Sequence, residues 1–585
     1  MRTFLFRKSF GAELLEKEQT FFTLWAPSSE NVFLRIEGMQ DQKMHSDGLG
    51  HFSLMVPCGA GARYRFCISG GLCVPDPASR SQPDGVLGAS EVIDPEHYQW
   101  QCPEWRGRPW HEAVIYELHA GLLGGYGSIC QQLDELAALG ITVIELMPIN
   151  SFGGTRNWGY DGVLPYAPAV SYGRPDELKH LIDAAHMRGI MVILDVVYNH
   201  FGPEGNFLPE YADDFFDHDQ HSTWGVGIHF SKPEVRDYFI ENVIYWIMEY
   251  RFDGVRIDAA SAISDHTWFE ALQKRVQTTI EPGRHVHLIL ENENNDAGLL
   301  RNGFTAQWND DGHNPLHVLL TGEHEGYYKM FSKNPTQDLA RVLAEGFVYQ
   351  GQFNPYSGKR RGMPSGDLPA TKFILFLQNH DQTGNRAFGE RLLALANPKA
   401  VKAAYALLLL SPMIPMIFMG EEWGCITPFY FFCDFHGELA EQIKEGRQNE
   451  FSQFSAFRNE EDRKRIPDPN ALSTFEASRP DRSLRDTDWG KEWLAVTHHL
   501  LELRKKWIIP YRHYVQSAGV KILGVGAICA HWYLRDKKLL TIFINISDKN
   551  YEITEPHGVL FAIPDTREAG TLPAFSFVAS MESRS

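Results

Sequence analysis

Four apolar runs in this 585-residue chain end in side chains that can do chemistry. "LDVVYNH" carries Asp195 and closes with Asn199 and His200, and "GVRIDA" holds Arg256 and Asp258. "LILEN" reaches Glu291, and "LQNHD" ends in His380 and Asp381. Arg256 and Asp258 are the sharpest case. Two residues apart in a strand, they point to the same side, so an arginine and a carboxylate share a face that would otherwise be core. A single strand-end Asp most often caps the following helix, and a single His at a core edge is most often there for a hydrogen bond. Three carboxylates gathered with an arginine and two histidines are different, because crowded carboxylates repel and lose hydration. Such a set fits cleavage of a glycosidic bond. One carboxylate attacks the anomeric carbon, a carboxylic acid protonates the leaving oxygen, and a third holds sugar hydroxyls near the cationic transition state. An arginine beside the attacking group keeps it ionised through charge and hydrogen bonding. Glu293, two residues past Glu291, competes for the acid role.

For these residues to meet, their strands must end on one rim. From about residue 111 the chain alternates strand-like and helix-like segments. Eight nearly uniform apolar runs, "AVIYELH", "TVIELMP", "MVILDVVYNH", "DGVRIDA", "HLILEN", "TAQWND", "FILFLQNHD" and "MIPMIFMGEEW", read as parallel strands covered by helices. Eight such units predict a (β/α)8 TIM barrel with enlarged loops, in which reacting groups gather at the C-terminal ends of the strands. An open doubly wound sheet is the alternative, but no Gly-rich phosphate loop follows any strand. The run "AAYALLLLSPMIPMIFMG", interrupted by Pro412 and Pro415, reads as a helix and a buried strand rather than a membrane span.

Residues 1–105, with short alternating runs such as "QTFFTLWAP" and "ARYRFCISG", predict an N-terminal antiparallel β-sandwich. "QCPEWRGRPW" marks its end, and residues 106–508 form the barrel. Residues 509–585 predict a small C-terminal antiparallel β-domain. At 43% hydrophobic and 22% charged, the composition is that of a folded globular chain. A net charge of −19 speaks against nucleic-acid phosphates as a partner. The eight cysteines show no C-x-x-C pair, so they read as reduced, buried, small apolar residues. The N-terminal apolar patch is too short for a signal peptide, and the expected location is cytoplasmic, with no membrane partner.

Together, "DVVYNH", "GVRIDA", the Glu-ended fifth strand and "QNHD" resemble the four signature regions of glycoside hydrolase family 13, the α-amylase family, in order and spacing across nearly the whole barrel. The resemblance implies Asp258 as nucleophile, Glu291 as acid/base and Asp381 as transition-state stabiliser. It implies substrate contacts at His200, Arg256 and His380, and a ring stacked on Tyr160 in "NWGYDG", where Asp161 also joins the substrate-binding group. The leading sandwich resembles the carbohydrate-binding-type domain that precedes such barrels. "RNWGYDGVLPYAP", "NHFGPEGN", "STWGVGIHF" and "FMGEEWGCITPFYFFCDF" resemble segments of the members that cut the α-1,4 bond beside a terminal trehalose unit. That likeness implies an oligosaccharide substrate, maltooligosyltrehalose, and release of trehalose. In "NDDGHN", Gly312 and Asn314 stand where the resemblance leads one to expect a bulky aromatic and a His. Trp224, in the loop after the third strand, is expected to wall the cleavage point, with a loop-core anchor as the plainer reading. Asn199 matches a calcium ligand of many relatives, yet the acidic "YADDFFDHDQH" lacks the Gly and terminal Glu of an EF-hand loop. No metal and no cofactor is expected. A glycogen branching or debranching enzyme shares the same triad and is the alternative. An inactive carbohydrate-binding barrel should have lost a carboxylate.

Overall fold

In the computed structural model, which describes residues 4, 6–222, 225–355, 357–512, 515–565 and 567–583, eight parallel strands close into a barrel. They are β1 (Ile115–Leu118), β2 (Val143–Leu146), β3 (Met191–Val196), β4 (Gly254–Ile257), β5 (His287–Leu290), β6 (Ala306–Trp308), β7 (Phe373–Leu375) and β8 (Ile414–Phe418). Each pairs with the next in chain order, and β8 returns to β1 with Ile115 opposite Met416. All eight runs identified from the sequence are barrel strands.

Strand alternation then sorts the side chains. Ile115, Val143, Ile193, Ile289, Ile374 and Met416 pack together as a dry layer inside the barrel. Two residues further along the inward face come Glu117 on β1, Glu145 on β2 and Asp195 on β3. The barrel interior is therefore apolar below and polar at its C-terminal mouth. This polarity follows from where each apolar run stops.

Outside, helices such as Pro175–Met187, Pro233–Met248 and Pro398–Leu410 cover the strands, each with proline in its first turn. A proline there lacks only an N–H that would be unpaired anyway. The run from Ala403 to Gly420 is the end of the third of these helices followed by β8. Pro412 lies in the turn between them. Arg504, on the helix Asp488–Trp507, donates to the Leu409 and Ser411 carbonyls at 2.7 and 2.8 Å, satisfying groups that the helix end exposes. Among the described residues no helix is long and apolar enough to cross a membrane.

Two antiparallel sheets precede the barrel, one built on Gly11–Glu16, Gln19–Trp25 and His51–Val56, the other on Phe33–Ile36 and Arg63–Cys67. They are fastened to the barrel helix Pro233–Met248: Ser9 N–H donates to Glu241 at 2.6 Å, and the Tyr238 hydroxyl donates to the Pro77 carbonyl at 2.6 Å. The reading of all cysteines as reduced is corrected at one place. Cys67 and Cys73 are register partners on neighbouring strands, 3.9 Å apart at Cα, and form a disulfide because the hairpin folds one back onto the other. After the barrel, a five-stranded antiparallel sheet packs its first strand, Val515–Gly524, against the helix Pro335–Glu345. Trp532 Nε1 donates to the Leu343 carbonyl at 3.1 Å across that junction.

Candidate active site

Arg256 is the hub of the barrel mouth. Its side chain is 1% exposed and lies over the Trp308 ring, 4.1 Å from the centroid. One terminal nitrogen, NH1, donates to both Asp195 oxygens at 2.7 Å and to Asp258 Oδ1 at 2.9 Å. The other, NH2, reaches Glu291 Oε2 at 2.9 Å. Alternation along β4 explains the pairing, since Arg256 and Asp258 both face inward. A guanidinium can serve this many acceptors because its donors fan out in one plane.

Each of the two carboxylates also accepts a further hydrogen bond. Asp258 Oδ2 accepts from Asn199 Nδ2 at 2.9 Å. Glu291 Oε2 accepts from the Ala259 N–H at 2.8 Å. Ala259 has φ of 41°, a left-handed conformation that a non-glycine residue rarely adopts. That turn, directly after Asp258, aims the Ala259 N–H at Glu291. Local strain of this kind persists where surrounding structure holds it.

Asp381 stands half-buried on the neighbouring rim, where Asn385 Nδ2 donates to Oδ1 at 2.6 Å. His380 is buried, and its Nδ1 lies 2.5 Å from Glu117 Oε1. Its ring stacks on Tyr160 at 5.0 Å, with 23° between the planes. The Tyr160 hydroxyl donates to Asp195 Oδ2 at 2.6 Å. His200 sits between Asn199 Oδ1, 2.5 Å away, and the Tyr160 carbonyl, 2.9 Å away. Asp161 accepts from Asn157 Nδ2 at 2.7 Å, a contact that shapes the "NWGYDG" turn.

Burial governs the protonation of this cluster. It lifts Asp195 to about 7 even though Arg256 opposes it. It also lifts Glu291, against the pull of Arg256 and with the push of Asp258. Asp381 is raised by burial and by Glu291, with His380 acting the other way. Burial lowers His200. For His380 burial acts downward, but the Glu117 charge and hydrogen bond together with the Asp381 charge outweigh it, and the histidine is raised. A carboxyl inclined to keep its proton therefore sits beside one fully engaged by cationic and amide donors. That is the division of labour that general acid and nucleophile require.

The sequence-derived residues Asp258, Glu291, Asp381, His200, Arg256, His380 and Tyr160 all come together here. Glu293 does not: it is exposed, and its carbonyl accepts from Arg361 Nε at 2.6 Å. Trp224 lies outside the described residues. Sequence reasoning missed Glu117 and Trp308. Alternation along "VIYELH" and "TAQWND" would have pointed both inward with Ile115 and Ala306. Among the described residues, no three His, Cys, Asp or Glu side chains are grouped to hold a metal ion. Asn199 commits its amide to Asp258 and its carbonyl oxygen to His200.

Gly312, in the helix Asp310–Thr321, lies under β7. A Cβ added there would meet Leu375 Cδ1 at 2.7 Å, so the small residue and the leucine are fitted to each other.

A closed parallel barrel whose apolar interior gives way to carboxylates around one arginine defines the α-amylase class of glycoside hydrolases. The family of alpha amylase catalytic domains matches residues 75–224. A crystal structure from Salmonella typhimurium superposes with a TM-score of 0.94 at 42% identity, covering 99% of this chain and 100% of its own. A malto-oligosyltrehalose trehalohydrolase of Deinococcus radiodurans is 40% identical over 493 residues, 83% of this chain and 81% of its own length. One from Saccharolobus solfataricus is 38% identical over 513 residues, 85% and 87% of the two chains. The chain belongs to the malto-oligosyltrehalose trehalohydrolase family.

Proposed function

We propose that this enzyme hydrolyses the α-1,4-glucosidic bond next to the terminal trehalose unit of maltooligosyltrehalose, releasing trehalose and a maltooligosaccharide with retention of configuration. The observation that carries the chemistry is the sharing of one guanidinium by Asp258 and Glu291. That sharing supports the short carboxylate separation of a retaining pair, about 5–5.5 Å, over the wider spacing of about 6.5–9.5 Å used for inversion.

In the first step an Asp258 oxygen bonds to the anomeric carbon while the bond from that carbon to the leaving oxygen breaks. The Glu291 proton passes to the leaving oxygen, and trehalose departs. In the second step a water attacks the same carbon and gives its proton to Glu291, and Asp258 leaves as a carboxylate. Arg256 NH1 and Asn199 Nδ2 hold the Asp258 carboxylate in place through one hydrogen bond to each oxygen. Asp381 takes sugar hydroxyls in the strained transition state, and Tyr160, braced on His380, supplies the flat face under the ring.

The test is product analysis with a trehalose-capped maltooligosaccharide. Free trehalose is expected as the first product, with the new reducing end initially in the α-form. Chain transfer without trehalose would favour the branching-type alternative, and an initial β-product would remove the retaining mechanism.

A further inference from the structure

Glu117 and Glu145 stand at one level of the barrel mouth, register partners on β1 and β2. Both are buried, each 1% exposed, but their surroundings differ. Burial lifts Glu145 far above the usual carboxyl range, so it keeps its proton. Glu117 instead receives a donor from His380 at each oxygen. Oε2 accepts the His380 backbone N–H at 3.1 Å, and the ring Nδ1 lies 2.5 Å from Oε1.

This grip fixes the ring one way round. A half-turn of the imidazole would take Nδ1 off Glu117 and put a carbon in its place. The ring face lies on Tyr160, with centroids 5.0 Å and planes 23° apart, and Trp158 meets it edge-on at 5.4 Å. Nε2 makes no hydrogen bond among the described residues, and the histidine keeps 3% exposure. The charged groups that face this ring are Glu117 from β1, Asp381 beside it, Arg256 from β4, Glu291 at the end of β5 and His119 at the end of β1. Burial lowers the histidine and Arg256 helps it, but Glu117 and Asp381 prevail and the histidine is raised. A ring so held carries a second proton, on Nε2. A neutral imidazole free of Glu117 can leave its single proton on Nδ1, which turns Nε2 into an acceptor.

We propose that Glu117 is a positioning residue of the reaction: by holding His380 at Nδ1 and at the backbone N–H, it keeps Nε2 a hydrogen-bond donor for a hydroxyl of the reacting sugar. The inference rests on the reading of Tyr160 as the flat face under that sugar. A ring stacked on Tyr160, with one unpartnered nitrogen, stands at the sugar's rim. Glu117 itself bonds no substrate and transfers nothing. It acts through the orientation and protonation of His380.

A double-variant cycle tests this, read as kcat/KM on an oligosaccharide that the parent enzyme cleaves, so its failure leaves the product assignment untouched. Glu117→Leu removes both acceptors, and kcat/KM should fall about 10²-fold. His380→Asn keeps a donor toward Glu117 but has nothing at the Nε2 position, and should lose about as much. The enzyme carrying both changes should be no slower than His380→Asn alone, because Glu117 works only through that ring. Glu117→Gln can still accept the backbone N–H and donate to Nδ1, so Nε2 keeps its proton and the loss should stay under about fivefold. Nitrogen-15 NMR of labelled histidines, with His380 assigned from its absence in His380→Asn, reads the ring directly. It should show Nε2 protonated in the parent and in Glu117→Gln, with His380 titrating about one pH unit or more lower in the variant. Losses that multiply in the double variant, or a His380→Asn enzyme with near-parent kcat/KM, would overturn the proposal. So would an unmoved His380 titration in Glu117→Gln, a result that stands even if Glu117→Leu does not fold.

Discussion

Asp258 and Glu291 rest on the two terminal nitrogens of the same guanidinium, each 2.9 Å away. One buried cation thus bridges the two carboxyls and favours the charged form of Glu291. Burial works against that charge, and at Glu291 burial wins, so its carboxyl is raised. Asp258 has Asn199 as a further donor, while the Glu291 oxygen on Arg256 also takes the Ala259 N–H.

Asp258→Asn and Glu291→Gln should each lower kcat by about 10²–10⁴-fold or more while leaving the fold intact. Steady-state kinetics beside a thermal melt checks this. A folded variant with near-normal turnover would remove that residue from the catalytic pair.

Arg256→Leu should do more than slow the reaction. It leaves Asp195, 2% exposed at its side chain, without its cation at the bottom of the mouth. Breaking such a buried pair from one side costs about 3–5 kcal/mol. Urea unfolding reads this directly, and a loss under 1 kcal/mol would show that the cluster relaxes by taking up protons.

Glu422 offers a pH test away from the reaction. It is buried, accepts from the Tyr116 hydroxyl at 2.8 Å and the Gly420 N–H at 3.0 Å, and burial raises it to about 7. A carboxyl raised in the folded state binds more protons there than when unfolded. Its stabilising contribution is therefore full below the unfolded value of 4.5 and is lost as pH rises through about 7. Glu422→Gln cannot ionise, so the parent protein should lose about 1–3 kcal/mol relative to this variant between those limits. Parallel melts at the two ends of the window, showing no change in the difference, would mean that Glu422 is charged throughout.

Gly312 and Leu375 should couple. Gly312→Phe alone is expected to cost about 1–3 kcal/mol through overpacking against Leu375. Adding Leu375→Ala makes room for the ring, so the double variant should be more stable than the two separate losses predict. Simple additivity in denaturant would mean that the aromatic side chain leaves by another path.

Much of the architecture was readable from residue order because it depends on local periodicity. Strand alternation put Arg256 with Asp258 on one face, and eight apolar runs each stopping at polar residues announced a barrel with its chemistry at one end. The helix and strand within Ala403–Gly420 were legible from two prolines in an apolar run. Other relationships join residues that no local pattern connects. Glu117 meets His380 across 263 residues because β1 and β7 both border β8, and Tyr160 stacks on that histidine from a loop. Cys67 and Cys73 pair through a hairpin register that spacing alone does not specify. Asp310 could have been read as an ordinary first-turn helix acid, and only the closed barrel brings it to Gln382, 72 residues further along the chain. The side toward which a residue points is written in its immediate neighbours. Which distant group it then faces, and whether a carboxyl there keeps its proton, depends on barrel closure and on the water that closure excludes.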